Sequence, residues 1–98
     1  MPEFRLSNQA QANLVSIYEY SEQRFGAYQT EAYLAGLRRA FELLAEFPKM
    51  GRSADEVASG LRRFRFQSHY IVYRLEHDDV FIRAVIHVRR DLRPDLIE

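Results

Sequence analysis

The sequence contains no cysteine, and this absence excludes disulfide-stapled scaffolds, thiol nucleophiles and metal sites built from cysteine ligands. It also has no apolar run near the ~18 residues that a membrane span requires. The first five residues form neither the basic region nor the apolar stretch of a secretion signal. We therefore expect a cytoplasmic protein that makes no membrane contact.

Lysine is nearly absent as well, because thirteen of the fourteen basic residues are arginine. Fourteen acidic residues balance them, and this zero net charge disfavours binding to duplex nucleic acid. The balance is local rather than uniform, since residues 61–94 hold eight arginines and only four acidic residues. Arginine suits protein interfaces and acidic partners, although a high-GC genome explains the bias equally well. The length of 98 residues predicts one domain, over residues 1–98.

Two helical patterns occupy the first half of the chain. From Asn8 to Phe25 apolar or small residues recur at steps of three and four, and Ser7 is the candidate N-cap. The second pattern runs from Tyr28 to Phe47, and Gly26 between them fits a break with a left-handed backbone. We predict an αα-hairpin, with Phe25 on the apolar face of the first helix and Phe47 on that of the second. Gly36 is expected to allow close approach of the first helix.

After a loop over residues 49–60 the periodicity changes from helical to alternating. Strands are predicted at Leu61–Phe66, His69–Glu76 and Val80–Val88, and the short links between them predict an antiparallel meander. A short edge strand is predicted at Glu3–Leu6. The predicted fold class is therefore α+β, with the αα-hairpin packed on one face of a small antiparallel sheet.

Strict alternation in the last strand predicts which of its side chains face the helices. It places five residues on the helix side, namely Val80, Ile82, Ala84, Ile86 and Val88. It places four on the opposite side, namely Phe81, Arg83, Val85 and His87. Together with Arg74, the second set would form an open face rich in arginine and aromatic rings. Such a face is either simply solvated or a docking surface for a partner.

Catalytic signals are few. His87 and Arg90 are the candidates, because a histidine among arginines can act as a general base in phosphodiester cleavage. A histidine at the end of a strand is also commonly structural. The three histidines lack metal-ligand spacing, and the sequence has no glycine-rich phosphate loop. We therefore predict no metal and no cofactor.

Three segments follow the hairpin pattern in a particular order: P-x-x-G-R from Pro48, Y-x-V-Y-R at Tyr70–Arg74, and V-I-H-V-R-R-D at Val85–Asp91. Over essentially the whole chain this order resembles ParE-type toxins of the RelE/ParE superfamily. The resemblance implies a RelE/ParE-like fold and the toxin component of a bacterial type II toxin–antitoxin system. It also implies a ParD-like antitoxin as partner, and inhibition of DNA gyrase by binding rather than by catalysis.

Two other functions stay open at this point. RelE-type relatives of the superfamily cut mRNA on the ribosome with basic residues and often a tyrosine near the C-terminus. This chain has no tyrosine after Tyr73 and a single lysine, and the incomplete set favours ParE behaviour. The other alternative is a partner-binding module without toxicity.

The resemblance also suggests which residues make contacts. The candidates for pairing with acidic residues of the antitoxin are Arg38, Arg39, Arg62, Arg65, Arg74 and Arg83. The candidates for binding the cellular target lie in the C-terminal stretch: Arg89, Arg90 and Arg93, beside Leu92, Leu96 and Ile97, which we expect to be exposed. This stretch can also be a frayed terminus or a last helical turn packed on the sheet. We expect no sequence-specific contact with nucleic acid.

Overall fold

The computed structural model describes residues 3–97 and contains one long helical element and a five-stranded sheet. The elements in chain order are β1 Phe4–Leu6, α1 Asn8–Glu46, β2 Arg52–Ser53, β3 Leu61–Phe66, β4 His69–Glu76, β5 Asp79–His87 and a 3-10 helix at Pro94–Leu96. The α+β class and the three strands of the meander are as predicted.

The element α1 is bent back on itself at Gly26, whose φ of 84° is accessible to glycine and unfavourable for other residues. A straight helix of its 39 residues would be about 58 Å long, whereas the longest dimension of the Cα trace is 37 Å. The two arms, residues 8–25 and 27–46, therefore form the predicted αα-hairpin. Ser7 caps the first arm, because its hydroxyl accepts a hydrogen bond from the N–H of Ala10 at 3.0 Å.

Three expectations about the hairpin are wrong. Phe25 and Phe47, predicted on the apolar faces, are both mostly exposed, and each lies at the C-terminal end of its arm. Gly36 approaches the sheet rather than the first arm. A Cβ atom at position 36 would lie 2.6 Å from the ring of Phe66 on β3, so the missing side chain lets the second arm sit close to that strand.

The strand order in the sheet is β1-β5-β4-β3-β2. The meander pairs are antiparallel, but β1 pairs with β5 in parallel, so the sheet is mixed and not purely antiparallel as predicted. The parallel pair arises because the hairpin carries the chain from β1 across one face of the sheet before β5 is reached. The two-residue strand β2 was not predicted, since two exposed residues are too few to show alternation.

A β-bulge in β5 reverses the predicted faces of that strand beyond Ile82. Val72 pairs with Ala84 and Tyr73 pairs with Ile82, so Arg83 is an extra residue opposite the junction. One added residue shifts the two-residue period. Val85 consequently packs in the core beneath the helices, whereas Ala84 and Ile86 face the other side, opposite to the prediction.

The sheet has a core on each face, so the predicted open face is wrong. The helix-side core contains Leu37, Phe41, Leu44, Ile71, Tyr73 and Ile82, among others. The opposite face, the second core, contains Ala54, Leu61, Val72, Ala84, Ile86 and Ile97. The turn after β2 and the C-terminal segment cover this face, because their apolar side chains have no other surface on which to be buried. The alternative of a helical turn packed on the sheet is therefore correct for Pro94–Leu96.

Candidate functional site

A cleft of about 830 Å³ lies between the two helical arms and the adjoining ends of β4 and β5. We call it the hairpin cleft. Its basic and aromatic lining residues are Arg24, Arg90, His69, His87, Tyr20, Phe25, Tyr28 and Tyr33. The bulge in β5 is what places His87 here, since the predicted alternation had put this side chain on the opposite face. The structure thus brings His87 and Arg90, the two catalytic candidates, into one cleft.

A tyrosine and two histidines are in contact within the cleft. The hydroxyl oxygen of Tyr33 lies 2.7 Å from Nδ1 of His69 and accepts a hydrogen bond from the N–H of Ser68 at 3.3 Å. The rings of His69 and His87 meet edge to face, with centroids 5.4 Å apart. Burial, and secondarily the neighbouring His87, lowers the pKa of His69 to about 4. His69 is therefore neutral at physiological pH.

One backbone contact indicates the tautomer of the neutral His87 ring. The N–H of Arg89 donates a hydrogen bond to Nδ1 of His87 at 3.1 Å, so this nitrogen carries no proton. The neutral ring then carries its proton on Nε2 and is a hydrogen-bond donor there. No carboxylate lines the cleft among residues 3–97, so the group that usually orients a catalytic histidine is missing in the described part of the chain.

Four of the six arginines predicted to contact the antitoxin bind carbonyl groups of their own chain. Arg62 donates to the carbonyl of Gly51 and Arg74 to that of Ser59. Arg65 donates to Gln67 at 2.9 Å, and Arg83 donates to Ile97 at 2.9 Å. These arginines hold loops and the C-terminal segment against the sheet, so they have a structural role whatever else they contact.

The other two predicted arginines, Arg38 and Arg39, are exposed and line a second depression, of about 1,260 Å³, between the second arm and β3. We call it the arm groove. Its apolar lining residues are Phe4, Ala32, Gly36, Ala40, Leu43, Ala45, Phe64 and Phe66. Three acidic residues, Glu3, Glu42 and Glu46, line it as well. The sequence pattern missed Leu43, which lies outside the predicted apolar stripe and is 43% exposed. A leucine off the buried stripe is a weak signal, because single exposed apolar residues are common.

The C-terminal stretch divides into basic residues that are exposed and apolar residues that are not, although Arg93 pairs with Asp95 at 3.4 Å. Arg89, Arg90 and Arg93 are at least partly exposed, as the target-binding prediction requires. Leu92 and Leu96 are partly buried against the second core, and Ile97 is only 8% exposed. The expectation that these three apolar residues are exposed is wrong, since burying them on the sheet removes their surface from water.

Comparison with known proteins agrees with the fold and the motifs. Residues 4–92 match the family model described as the ParE toxin of the type II toxin–antitoxin system parDE. The chain is 38% identical over 96 residues to Toxin ParE1 of Caulobacter vibrioides, covering 98% of this chain and 99% of the relative. It is 34% identical over 94 residues to Toxin ParE1 of Mycobacterium tuberculosis, covering 95% and 96% of the two chains.

A solved structure supports the same fold. The chain matches one described as the chromosomal ParDE TA system from P. aeruginosa, with a TM-score of 0.79 and 15% identity over 91% of this chain and 98% of the other. The fold and sequence thus define a small α+β toxin of the two-component type. The chain belongs to the ParE toxin family of type II toxin–antitoxin systems. An antitoxin partner is part of what membership of this family means.

Two further findings concern membrane-spanning helices and metal sites. Within residues 3–97 no helix combines the length and the apolar character needed to cross a membrane. In the same range no three histidine or acidic side chains lie close enough together to hold a metal ion.

Proposed function

We propose that this chain is the toxin of a ParDE-type pair, neutralised by a ParD-like antitoxin in the cytoplasm, and that the free toxin inhibits DNA gyrase. Inhibition occurs by binding and involves no chemical step. Membership of the ParE family carries the proposal. The observations in favour of binding over catalysis are the lack of a tyrosine after Tyr73 and the lack of a carboxylate in the described lining of the hairpin cleft.

The arm groove is the surface that fits an antitoxin segment. It has apolar lining residues, and Arg39 at its edge forms no ion pair among residues 3–97, whereas Nε of Arg38 lies 4.0 Å from a carboxylate oxygen of Glu42 in the same groove. An amphipathic helix that lays its apolar face in the groove and presents one acidic residue to Arg39 would match both features. The four arginines bound to carbonyls of their own chain are less suited to this contact, because that hydrogen bond fixes each guanidinium against its own chain and uses one of its donors.

A pair of matched variants tests the groove. Leu43→Asp places a charge among the apolar lining residues, whereas Val15→Asp makes the same change at an exposed apolar position of the first arm, outside the groove and the cleft. We expect Leu43→Asp to abolish co-purification with a co-expressed antitoxin and Val15→Asp to leave it intact. Equal co-purification of both variants would contradict the groove assignment.

Gyrase inhibition is tested with purified toxin in a DNA supercoiling assay. We expect loss of supercoiling or accumulation of cleaved DNA, reversed by the antitoxin. Replacing Arg89, Arg90 and Arg93 together by glutamine should remove inhibition and preserve antitoxin binding, if these arginines contact gyrase. Glutamine variants are preferable to a truncation, because residues 92–97 cover the second core.

The second candidate function is ribosome-dependent mRNA cleavage, which the shared location of His87 and Arg90 in the hairpin cleft favours. Growth arrest with gyrase unaffected and mRNA cut would support it. In that case His87→Ala should lower toxicity at least about a hundredfold, the typical contribution of general acid–base catalysis. Under the gyrase proposal the same variant stays within a few-fold of the parent.

A further inference from the structure

The hairpin cleft has basic lining residues, whereas the whole chain has equal numbers of basic and acidic residues. The chain is neutral and contains fourteen acidic residues, yet none of the described residues that line the cleft is acidic. Two arginines and two histidines line it instead. Within residues 3–97 neither Arg24 nor Arg90 forms an ion pair with a carboxylate. The cleft therefore favours an anionic ligand, which would find unpaired guanidinium groups there.

The two histidines add hydrogen-bonding nitrogens to this charge, and the contacts of the chain assign a donor at Nε2 of His87. Nδ1 of His69 contacts the Tyr33 hydroxyl, and Nδ1 of His87 accepts from the N–H of Arg89. Neither Nε2 atom has a hydrogen-bond partner among residues 3–97, and both rings line the cleft. An N–H group on Nε2 is a donor that suits the oxygen atoms of a phosphate.

The outer part of the cleft is aromatic. Tyr20 and Phe25 are each 60% exposed and Tyr28 is 88% exposed, although the folded chain has two apolar cores in which aromatic rings could be buried. Arg24 lies over the ring of Tyr20 at 5.2 Å from its centroid, so one basic group is held beside one of these rings. Exposed ring faces beside a basic group are the feature with which proteins stack planar bases.

We propose that the hairpin cleft binds a nucleotide, with its phosphate at Arg90, Arg24 and the histidine edges and its base stacked on the exposed tyrosines. The volume of about 830 Å³ lies within the usual range for small-molecule sites. An acidic peptide fits less well, because the cleft presents exposed aromatic ring faces beside basic groups, which suit a planar base joined to a phosphate. The nucleotide is either free in solution or the end of a single strand, and both present the same base and phosphate to the cleft.

The test is a titration of the full-length toxin with AMP, adenosine, inorganic phosphate and a short single-stranded oligonucleotide, followed by NMR chemical shifts or calorimetry. We expect AMP to bind more tightly than adenosine or phosphate, since only AMP engages both halves of the site. Tighter binding of the oligonucleotide than of AMP would assign the site to a strand end, and the reverse order to a free nucleotide.

Single substitutions localise the binding. Arg90→Gln and Arg24→Gln should each weaken AMP binding about fivefold or more, because each removes a charged donor. Tyr28→Ala should weaken AMP and adenosine alike and leave phosphate unchanged. Arg52→Gln, an exposed arginine on β2 outside the cleft, is the matched control and should bind as the parent does.

Three results would overturn the proposal. They are no AMP binding at millimolar concentration, equal affinity in the Arg90 and Arg52 variants, and displacement of AMP by an acidic peptide that binds more tightly. Retained co-purification of the Arg24→Gln variant with the antitoxin shows that the variant is folded. It also separates failure of this proposal from failure of the toxin function.

Discussion

The side-chain oxygen of Asn13 accepts a hydrogen bond from the backbone N–H of Val85 at 3.0 Å. Val85 lies just after the bulge in β5, where the extra residue disrupts the backbone ladder. Ser7 adds a second contact there, since its hydroxyl donates to the carbonyl of Arg83 at 2.9 Å. The cap residue Ser7 and the first helical arm thus bind backbone groups of β5 beyond Ile82, where β1 has ended, and the bulge places His87 in the hairpin cleft.

Replacing Asn13 by alanine should therefore lower the free energy of unfolding by about 1–2 kcal/mol, because it leaves a largely buried N–H group without its acceptor. The matched control is Asn8→Ala, the same substitution at an exposed position of the same arm. Chemical denaturation measures the difference, and hydrogen exchange should show faster exchange at the Val85 amide. Equal stability of the two variants would mean that water or another group replaces Asn13.

Replacing Tyr33 by phenylalanine removes only the hydroxyl, which contacts His69, Ser68 and the carbonyl of Phe66. We expect a loss of about 1 kcal/mol in the free energy of unfolding. Tyr28→Phe is the control, because that tyrosine is almost fully exposed. NMR of the His69 ring should also change in Tyr33→Phe and stay constant in Tyr28→Phe. An unchanged His69 signal in Tyr33→Phe would show that the 2.7 Å contact does not persist in solution.

The depressed pKa of His69 predicts a pH-dependent stability. The folded state favours the neutral ring, with a pKa of about 4, whereas the unfolded chain takes up the proton near the ordinary value of 6.5. The contribution of neutral His69 to stability is therefore fully present above about pH 6.5, and it is lost as the pH is lowered toward 4. The His69 ring is only half-buried, so solvent screens part of the effect. The expected loss in the free energy of unfolding is therefore about 1–2 kcal/mol, which is less than the pKa difference alone would give.

The measurement is the free energy of unfolding from urea titrations between about pH 7 and pH 5, the window in which the unfolded chain takes up the proton. His69→Gln should flatten the dependence in this window. His77→Asn removes a histidine from an exposed turn with a φ of 58°, which asparagine tolerates, and should keep the parent's slope. If both variants kept that slope, the pH dependence would come from other groups.

Gly36→Ala should destabilise the protein although alanine is the better helix former. The new methyl group would meet the ring of Phe66 at 2.6 Å, and overpacking of this kind typically costs about 1–3 kcal/mol, more than the gain of about 1 kcal/mol in helix propensity. Thermal unfolding of Gly36→Ala, Phe66→Leu and the double variant checks the cause. The shorter leucine should remove most of the cost of alanine, and simply additive effects would contradict the clash.

The sequence patterns predicted most of the fold because those signals are local. The positive φ at Gly26 and the side-chain cap at Ser7 each depend on a few neighbouring residues, and both were expected. The alternating strands of the meander were found for the same reason. Strand β2 escaped notice because its two residues are joined to the sheet by backbone hydrogen bonds to β3, which leave no pattern in the side chains.

The candidate site was predicted less well, since its composition depends on contacts between distant segments. His87 and Arg90 were singled out, but their neighbours Tyr33 and His69 were not. Tyr33 and His69 are 36 residues apart in the sequence, and no sequence pattern indicates that they are in contact. The apolar residues of the tail were misjudged in the same way. Nothing local in Leu92, Leu96 and Ile97 distinguishes a free basic tail from one that covers a second core.

Periodicity, turn residues and the order of motifs along the chain were enough to establish the α+β class, the hairpin and the ParE resemblance, because each follows from residues close in sequence. The face on which His87 lies, the burial of the tail and the presence of a cationic aromatic cleft required the folded chain. A single extra residue at Arg83 inverts the side-chain alternation beyond it, and the side-chain oxygen of Asn13, distant in sequence, binds the backbone N–H of Val85 just after that bulge.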